Sequence, residues 1–119
     1  MDVVAMVLVA VVVAIHVYIM LLEMVWWKTP RGMQAFGTDA AFAERSAPLA
    51  ANQGLYNGFL VAGLVWGLLA ADPLGFQVTV FFLGCVIVAG LFGAATVSRR
   101  ILYVQAAPAA LALVLLWLA

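Results

Sequence analysis

The chain has 119 residues, of which 69% are hydrophobic and 8% are charged, and its mean hydropathy is +1.24. An ordinary soluble domain is about half apolar and a quarter charged, so this composition excludes a water-soluble globular protein and predicts a membrane protein. The formal net charge is zero, which argues against nucleic acid as a partner. The single cysteine, Cys85, lies in an apolar run and cannot form an internal disulfide.

Four apolar runs are long enough to cross a bilayer, for which a helix needs about 20 residues. They cover about residues 3–27, 49–71, 74–97 and 101–119. None of them alternates polar with apolar residues, so a transmembrane barrel is excluded. We therefore predict an all-α fold, an integral membrane four-helix bundle in one domain. The first run follows Asp2, where a signal peptide has Lys or Arg, and its apolar stretch is too long for a signal peptide, so it is predicted to be a retained span.

The connections between the runs are two tight turns and one long segment. The turns are Asp72-Pro73 and Ser98-Arg99-Arg100. Proline explains the first turn, because it cannot continue a helix and disfavours helix in the residue before it. In the long segment, about residues 28–48, we expect Asp39 to cap a short helix. Ser46 is expected to cap the second span, with Pro48 in its first turn.

The positively charged residues are confined to the first and third connections. They are Lys28, Arg31, Arg45, Arg99 and Arg100. The positive-inside rule places both connections in the cytoplasm and both termini outside. This pattern predicts a multi-pass protein of a cytoplasmic membrane.

Polar side chains within the spans are costly, on the order of 2.5–3.5 kcal/mol for a charge at the bilayer centre, so each needs a partner or a wet cavity. The set is His16, Glu23, Asn52, Gln53, Tyr56, Asn57, Arg99, Arg100, Tyr103 and Gln105. All except His16 lie within about two turns of the predicted cytoplasmic boundary. Their number at one depth favours a polar pocket open to the cytoplasm. The alternative is that they only hold helices together.

The candidate catalytic residues of this pocket are Glu23 as general base, Arg99 to stabilise developing negative charge, and Tyr103 as proton donor. Arg100 and Tyr56 are the alternatives for the last two roles. The remaining candidate ligand-binding residues are His16, Arg45, Asn52, Gln53, Asn57 and Gln105. Glu23 is expected to contact an arginine or an amide from the second or fourth helix, because an unpaired carboxylate there is unstable.

His16 lies near the predicted bilayer midplane, where it is either a structural residue with one interhelical hydrogen bond or a haem ligand. Its span lacks the further ligands that a metal ion requires, so no metal site is predicted. Two stripes of small residues on the second span, Gly54 with Gly58 and Ala62, and Gly63 with Gly67, indicate close helix packing. That packing is either within one chain or between chains.

Four motifs together resemble one family of small bacterial membrane proteins. They are His16-Val-Tyr-Ile-Met, Glu23-Met, Lys28-Thr-Pro-Arg-Gly and Leu49-Ala-Ala-Asn-Gln-Gly-Leu-Tyr-Asn-Gly. Over essentially the whole chain the sequence resembles domain of unknown function family 1304. The resemblance implies a bacterial cytoplasmic membrane and says almost nothing about activity.

A more distant resemblance rests on Glu44-Arg45 followed by Asn52, and on Arg99 with Tyr103 one turn later. These spacings are similar to those of the membrane-associated eicosanoid and glutathione metabolism (MAPEG) proteins, which are four-helix trimers with sites between protomers. The resemblance implies a MAPEG-like fold, a homo-oligomer with a trimer favoured, and a thiol such as glutathione as ligand.

The chain departs from the MAPEG signature at positions on which glutathione binding depends. Pro48-Leu49 stands where that signature has Arg-Ala, and Leu55 stands where it has a glutamate. The pair Asn57-Gly58 is also similar to the second helix of bacterial styrene oxide isomerases, which bind haem between protomers. Ala51 stands at the position of their haem-binding histidine, so haem binding here requires His16 instead.

Two functions follow from these features. The first is a membrane-embedded enzyme or binding protein for a small lipophilic molecule, with the polar end of the molecule held near the cytoplasmic boundary. The second is a non-enzymatic structural or transport-associated subunit, in which the polar residues only hold a homo-oligomer together within the membrane lipid.

Overall fold

A computed structural model describes residues 1–118, and these residues form an all-α protein, as predicted. The elements in chain order are α1 (Val3–Met24), α2 (Pro30–Phe36), α3 (Ala40–Leu69), α4 (Leu74–Thr96), a π-helix (Leu102–Ala106) and α5 (Ala107–Leu118). The tight turns expected after the second and third apolar runs are present, between α3 and α4 and between α4 and the π-helix.

Two helices among the described residues, α1 and α4, are long and apolar enough to cross a membrane. Few of their residues are buried within the chain, 22% and 28% of the most apolar stretch of each. Helix α3 is longer, but amide side chains lie within its apolar stretch. The last apolar run forms only a shorter apolar helix, Leu102–Leu118. Two of the four predicted spans therefore meet the criterion of length and hydropathy.

The chain forms two compact units. The first consists of residues 1–15 together with the residues from 60 onward, and the second is His16–Phe59. The apolar core of the first unit draws on α1, α3, α4 and α5. Its buried members are Ala5, Val9, Val12, Leu64, Leu83, Val86, Ala109, Ala112 and Leu116. Their burial supplies the main apolar packing of this unit.

Glycines set the distance between α3 and α4 in the first unit. A methyl group on Gly63 would collide with the ring of Phe82, and one on Gly67 would collide with Thr79. This stripe of small residues therefore packs within the chain, which is one of the two alternatives that its spacing left open.

The π-helix is explained by Pro108, two residues after its end. Proline has no N–H to donate to the carbonyl four residues earlier, and its ring collides with that carbonyl in a regular α-helix. The wider turn relieves this collision, and the Ala107 N–H donates to the Leu102 carbonyl five residues back.

The start of α3 corrects the predicted boundaries. Asp39 does cap a helix, since its Oδ1 accepts a 2.8 Å hydrogen bond from the Phe42 N–H, but that helix continues without a break to Leu69. The prediction that Ser46 caps the second span is wrong. The Ser46 hydroxyl instead donates to the Phe42 carbonyl, 2.7 Å, as serine does inside helices. Pro48 lies inside α3 and not in a first turn.

Helix α2 was not predicted, although its boundary residues are typical of a helix. The Thr29 side chain accepts a 3.3 Å hydrogen bond from the Gly32 N–H, and Pro30 occupies the first helical position. Gly37 ends the helix in the left-handed conformation, with φ of 68°. Thr29 and Gly37 are thus the residues in the sequence that indicate where α2 begins and ends.

Candidate functional site

A buried hydrogen bond joins α1 to α3 within the second unit. The Asn57 side-chain amide donates to the Glu23 carboxyl, with Nδ2 2.5 Å from Oε1. Both side chains are nearly inaccessible, since Glu23 is 8% exposed and Asn57 is 4% exposed. The expected contact of Glu23 with an amide of the second span is confirmed, and this partner is neutral and not an arginine.

The close approach of α1 and α3 depends on Gly54 and Gly58. A Cβ on Gly54 would collide with the Met24 side chain and would lie 3.2 Å from both Glu23 Cβ and the Met20 carbonyl oxygen. On Gly58 it would lie 3.2 Å from Met20 Sδ. Because the two backbones lie so close, the short Asn57 side chain reaches Glu23.

His16 is completely buried on α1, seven residues before Glu23. Seven residues are nearly two turns, so both side chains leave the same face of α1 about 10 Å apart. Within the part of the chain that the structure describes, no cluster of three or more His, Cys, Asp or Glu residues forms a metal site. Haem and thiol binding remain predictions.

Most of the predicted site residues on α3 are exposed and share one face. At 3.6 residues per turn, six of the exposed side chains between residues 42 and 59 fall within an arc of about 100°. We call this surface the outer stripe of α3; its members are Phe42, Arg45, Leu49, Asn52, Tyr56 and Phe59. Gln53 is also exposed and lies beside it. The buried residues of this part of α3 lie on the opposite face: Ala43, Ala50, Gly54 and Asn57.

Two side-chain contacts join the segment between α1 and α3 to α3. The Trp27 indole N–H donates to Ser46 Oγ at 3.0 Å, and Lys28 Nζ lies 3.5 Å from Glu44 Oε2. The charge of Glu44 is thus already matched by Lys28. Arg45, the next residue, is exposed and forms no ion pair with another residue in the range 1–118. Its guanidinium remains available to a group outside the chain.

The predicted site residues of the fourth run belong to the first unit. Arg99, Arg100 and Tyr103 are exposed, and Gln105 is half-buried. The Arg100 backbone N–H donates to Ser98 Oγ at 3.2 Å, which stabilises the turn. A pocket that combines these residues with Glu23 and Asn57 remains a prediction.

A second polar contact, at the turn between α3 and α4, was not predicted from the sequence. The Met1 ammonium lies 2.6 Å from Asp72 Oδ2, and Asp72 Oδ1 accepts a 3.0 Å hydrogen bond from the Phe76 N–H. The pKa of the Asp72 carboxyl is lowered, mainly by the hydrogen bond from the Met1 ammonium. Desolvation raises this pKa by less than that hydrogen bond lowers it, and the charge of the ammonium and the Phe76 N–H lower it further. These contacts hold the turn, and the one from Phe76 satisfies an N–H in the first turn of α4.

Comparison with known proteins identifies a family that the chain matches. Residues 10–117 match the family described as "Protein of unknown function (DUF1304)". No curated protein and no solved structure matches the chain. The match covers nearly the whole chain and agrees with the family that the four motifs resemble.

Proposed function

The chain belongs to the DUF1304 family of proteins of unknown function, and we propose that it is a multi-pass membrane protein that binds a small lipophilic molecule on the outer stripe of α3. The polar end of the molecule lies toward the start of α3, on the cytoplasmic side. Binding at this surface requires that α3 be embedded in lipid.

Membrane insertion is supported by the exposed apolar surface of α1 and α4. About three quarters of the apolar stretch of each helix is not buried by the chain, and water is a poor solvent for so large an apolar area. Because α3 and α5 share one core with them, we propose that all four cross the membrane as a MAPEG-like bundle with both termini outside. The distribution of Lys and Arg supports this orientation.

The observation that carries the function is the mixture of polar and apolar side chains on the outer stripe. The Asn52 amide and the Tyr56 hydroxyl face away from the chain, and transfer of such a group into hydrocarbon without a hydrogen bond costs about 4–8 kcal/mol. Each therefore needs a polar partner from outside the chain. Leu49 and Phe59, exposed on the same stripe, need an apolar one. A lipophilic molecule with a polar end supplies both.

Glu23 has a different role in this proposal. Its carboxyl is buried and accepts the Asn57 hydrogen bond behind the stripe, so it positions α3 against α1 and does not touch the bound molecule. A general base must lie within hydrogen-bond reach of the proton that it removes. We therefore propose binding, and not catalysis, as the activity of this surface.

The alternative function is a structural subunit. A second copy of the chain, in a trimer or another homo-oligomer, also supplies hydrogen-bond partners for Asn52 and Tyr56 in the membrane. The exposed stripe supports this function as well, and the two are separated by what the purified protein contains.

The test is to purify the protein in mild detergent, extract it with organic solvent, and identify co-purified molecules by mass spectrometry. Native mass spectrometry of the same sample gives the oligomeric state. The variant is Asn52→Leu, and Gln77→Leu is the matched control, since Gln77 is an exposed amide of α4 and not a member of the stripe.

We expect a bound molecule in the wild type and in Gln77→Leu, and at least about tenfold less of it in Asn52→Leu, as for the loss of one buried hydrogen bond in an apolar site. A wild-type protein that carries no molecule contradicts the proposal. If Asn52→Leu instead dissociates an empty oligomer, the structural subunit is the correct function.

A further inference from the structure

We propose, building on the function above, that the molecule bound to the outer stripe of α3 is an anionic amphiphile whose head group binds the guanidinium of Arg45. The shared chemistry is a carboxylate or phosphate attached to an apolar chain. A fatty acid and an anionic phospholipid both have it.

The first argument is the charge at the start of α3. Arg45 is exposed and forms no ion pair with any residue of the described chain. The two neighbouring carboxylates are already engaged, since Glu44 pairs with Lys28 and Asp39 accepts the Phe42 N–H at the helix start. An exposed guanidinium beside lipid attracts an anion and binds carboxylate or phosphate through two parallel hydrogen bonds.

The second argument is the order of side chains along the stripe. Arg45 is near one end, and with a rise of about 1.5 Å per residue Asn52 follows after about 10 Å and Tyr56 after about 16 Å. The apolar side chains Leu49 and Phe59 alternate with these polar groups. From Arg45 onward the surface is therefore charged, then mixed, then apolar, which matches a charged head group followed by an apolar tail. A neutral lipophile leaves Arg45 without a partner.

The experiment measures binding to the full chain in nanodiscs of neutral phosphatidylcholine. The probes are a long-chain fatty acid, phosphatidylglycerol, and a long-chain alcohol of the same length as the acid. The variants are Arg45→Gln and Arg45→Lys. Lys28→Gln is the matched control, because it removes the same charge from the same segment but from a residue already paired with Glu44.

We expect the wild type to bind at least one of the anionic probes about tenfold or more tightly than the alcohol, as for a hydrogen bond to a charged group. Arg45→Gln should remove this preference, Arg45→Lys should restore part of it, and Lys28→Gln should leave it within about twofold. Whichever of the acid and the phospholipid binds more tightly identifies the source of the anion.

Equal binding of the acid and the alcohol, or an unchanged preference in Arg45→Gln, overturns the anionic ligand. If Asn52→Leu then still weakens the binding of every probe, the binding function itself stands. If none of the three probes binds and no molecule co-purifies with the wild type, both proposals fail.

Discussion

Replacement of Asn57 by leucine tests the buried contact between α1 and α3. Leucine is close to asparagine in size, so the substitution removes the 2.5 Å hydrogen bond to Glu23 and leaves little cavity. The Glu23 carboxyl, 8% exposed, then has no amide donor. Leaving a buried polar group unsatisfied costs about 1–3 kcal/mol. The cost is below the roughly 3–5 kcal/mol of a broken buried ion pair, because the lost partner is neutral.

The double variant Glu23→Leu with Asn57→Leu separates the hydrogen bond from general packing. Removing both polar partners together is nearly neutral when the apolar replacements have a similar shape. We therefore expect the double variant to recover most of the free energy of unfolding that Asn57→Leu loses. Glu23→Gln, which keeps an acceptor oxygen for Asn57, should cost less than about 1 kcal/mol.

The measurement is unfolding of each variant in mixed micelles with increasing denaturing detergent, followed by tryptophan fluorescence. Trp26 and Trp27 report on this unit, since Trp27 bonds to Ser46. The reasoning is refuted if Asn57→Leu is as stable as the wild type, or if the double variant is no more stable than Asn57→Leu.

Two further predictions rest on the structure, and a third rests on the distribution of Lys and Arg in the sequence. Gly54→Ala should cost about 1–3 kcal/mol of unfolding free energy in the same assay, because the new methyl group meets α1. Its control Gly84→Ala, with nothing within 4 Å, should gain up to about 1 kcal/mol. Reporter fusions should place both termini outside and the segment around Gly37 inside; a cytoplasmic C-terminus contradicts the orientation. Because the folded-state pKa of Asp72 is lowered, its stabilising contribution is complete above the ordinary carboxyl pKa and disappears as the pH falls through the lowered value. Asp72→Asn should therefore reduce the acid sensitivity of unfolding, and an unchanged pH profile counts against the Met1 contact.

Several features follow from the sequence by itself. Too few charged residues are present to cover a soluble surface, and long runs without alternation leave only helices. A helix cannot continue through Pro73, because proline has no backbone N–H to donate. Asp39 marks the start of α3, because its side-chain oxygen accepts the Phe42 N–H. A contact of Glu23 with an arginine or an amide was also predictable, since a carboxyl inside a span requires a polar partner, and the partner is the Asn57 amide.

The start of α3 was harder to predict, because the residues near it suit both a helix end and a helix interior. A serine before an apolar run is typical of a helix cap, but the same hydroxyl bonds a carbonyl inside a helix, as Ser46 does. Pro48 likewise suits a first turn, yet it lies within α3 at an exposed position. The prediction from sequence therefore started this span at about residue 49, whereas α3 begins at Ala40.

Only the tertiary structure decided which polar face of α3 is buried. Asn52 and Asn57 are five residues apart, which turns their side chains about 140° away from each other, and both are amides of one helix within an apolar chain. Helical spacing placed Asn52 on one face with Tyr56 and Asn57 on another with Gln53. It did not show which of these two faces packs against α1. Gly54 decides this, because only the face that lacks a side chain there lets the two backbones come close. Asn57 consequently turns inward to Glu23, and Asn52 remains on the outer stripe with Arg45 and Tyr56.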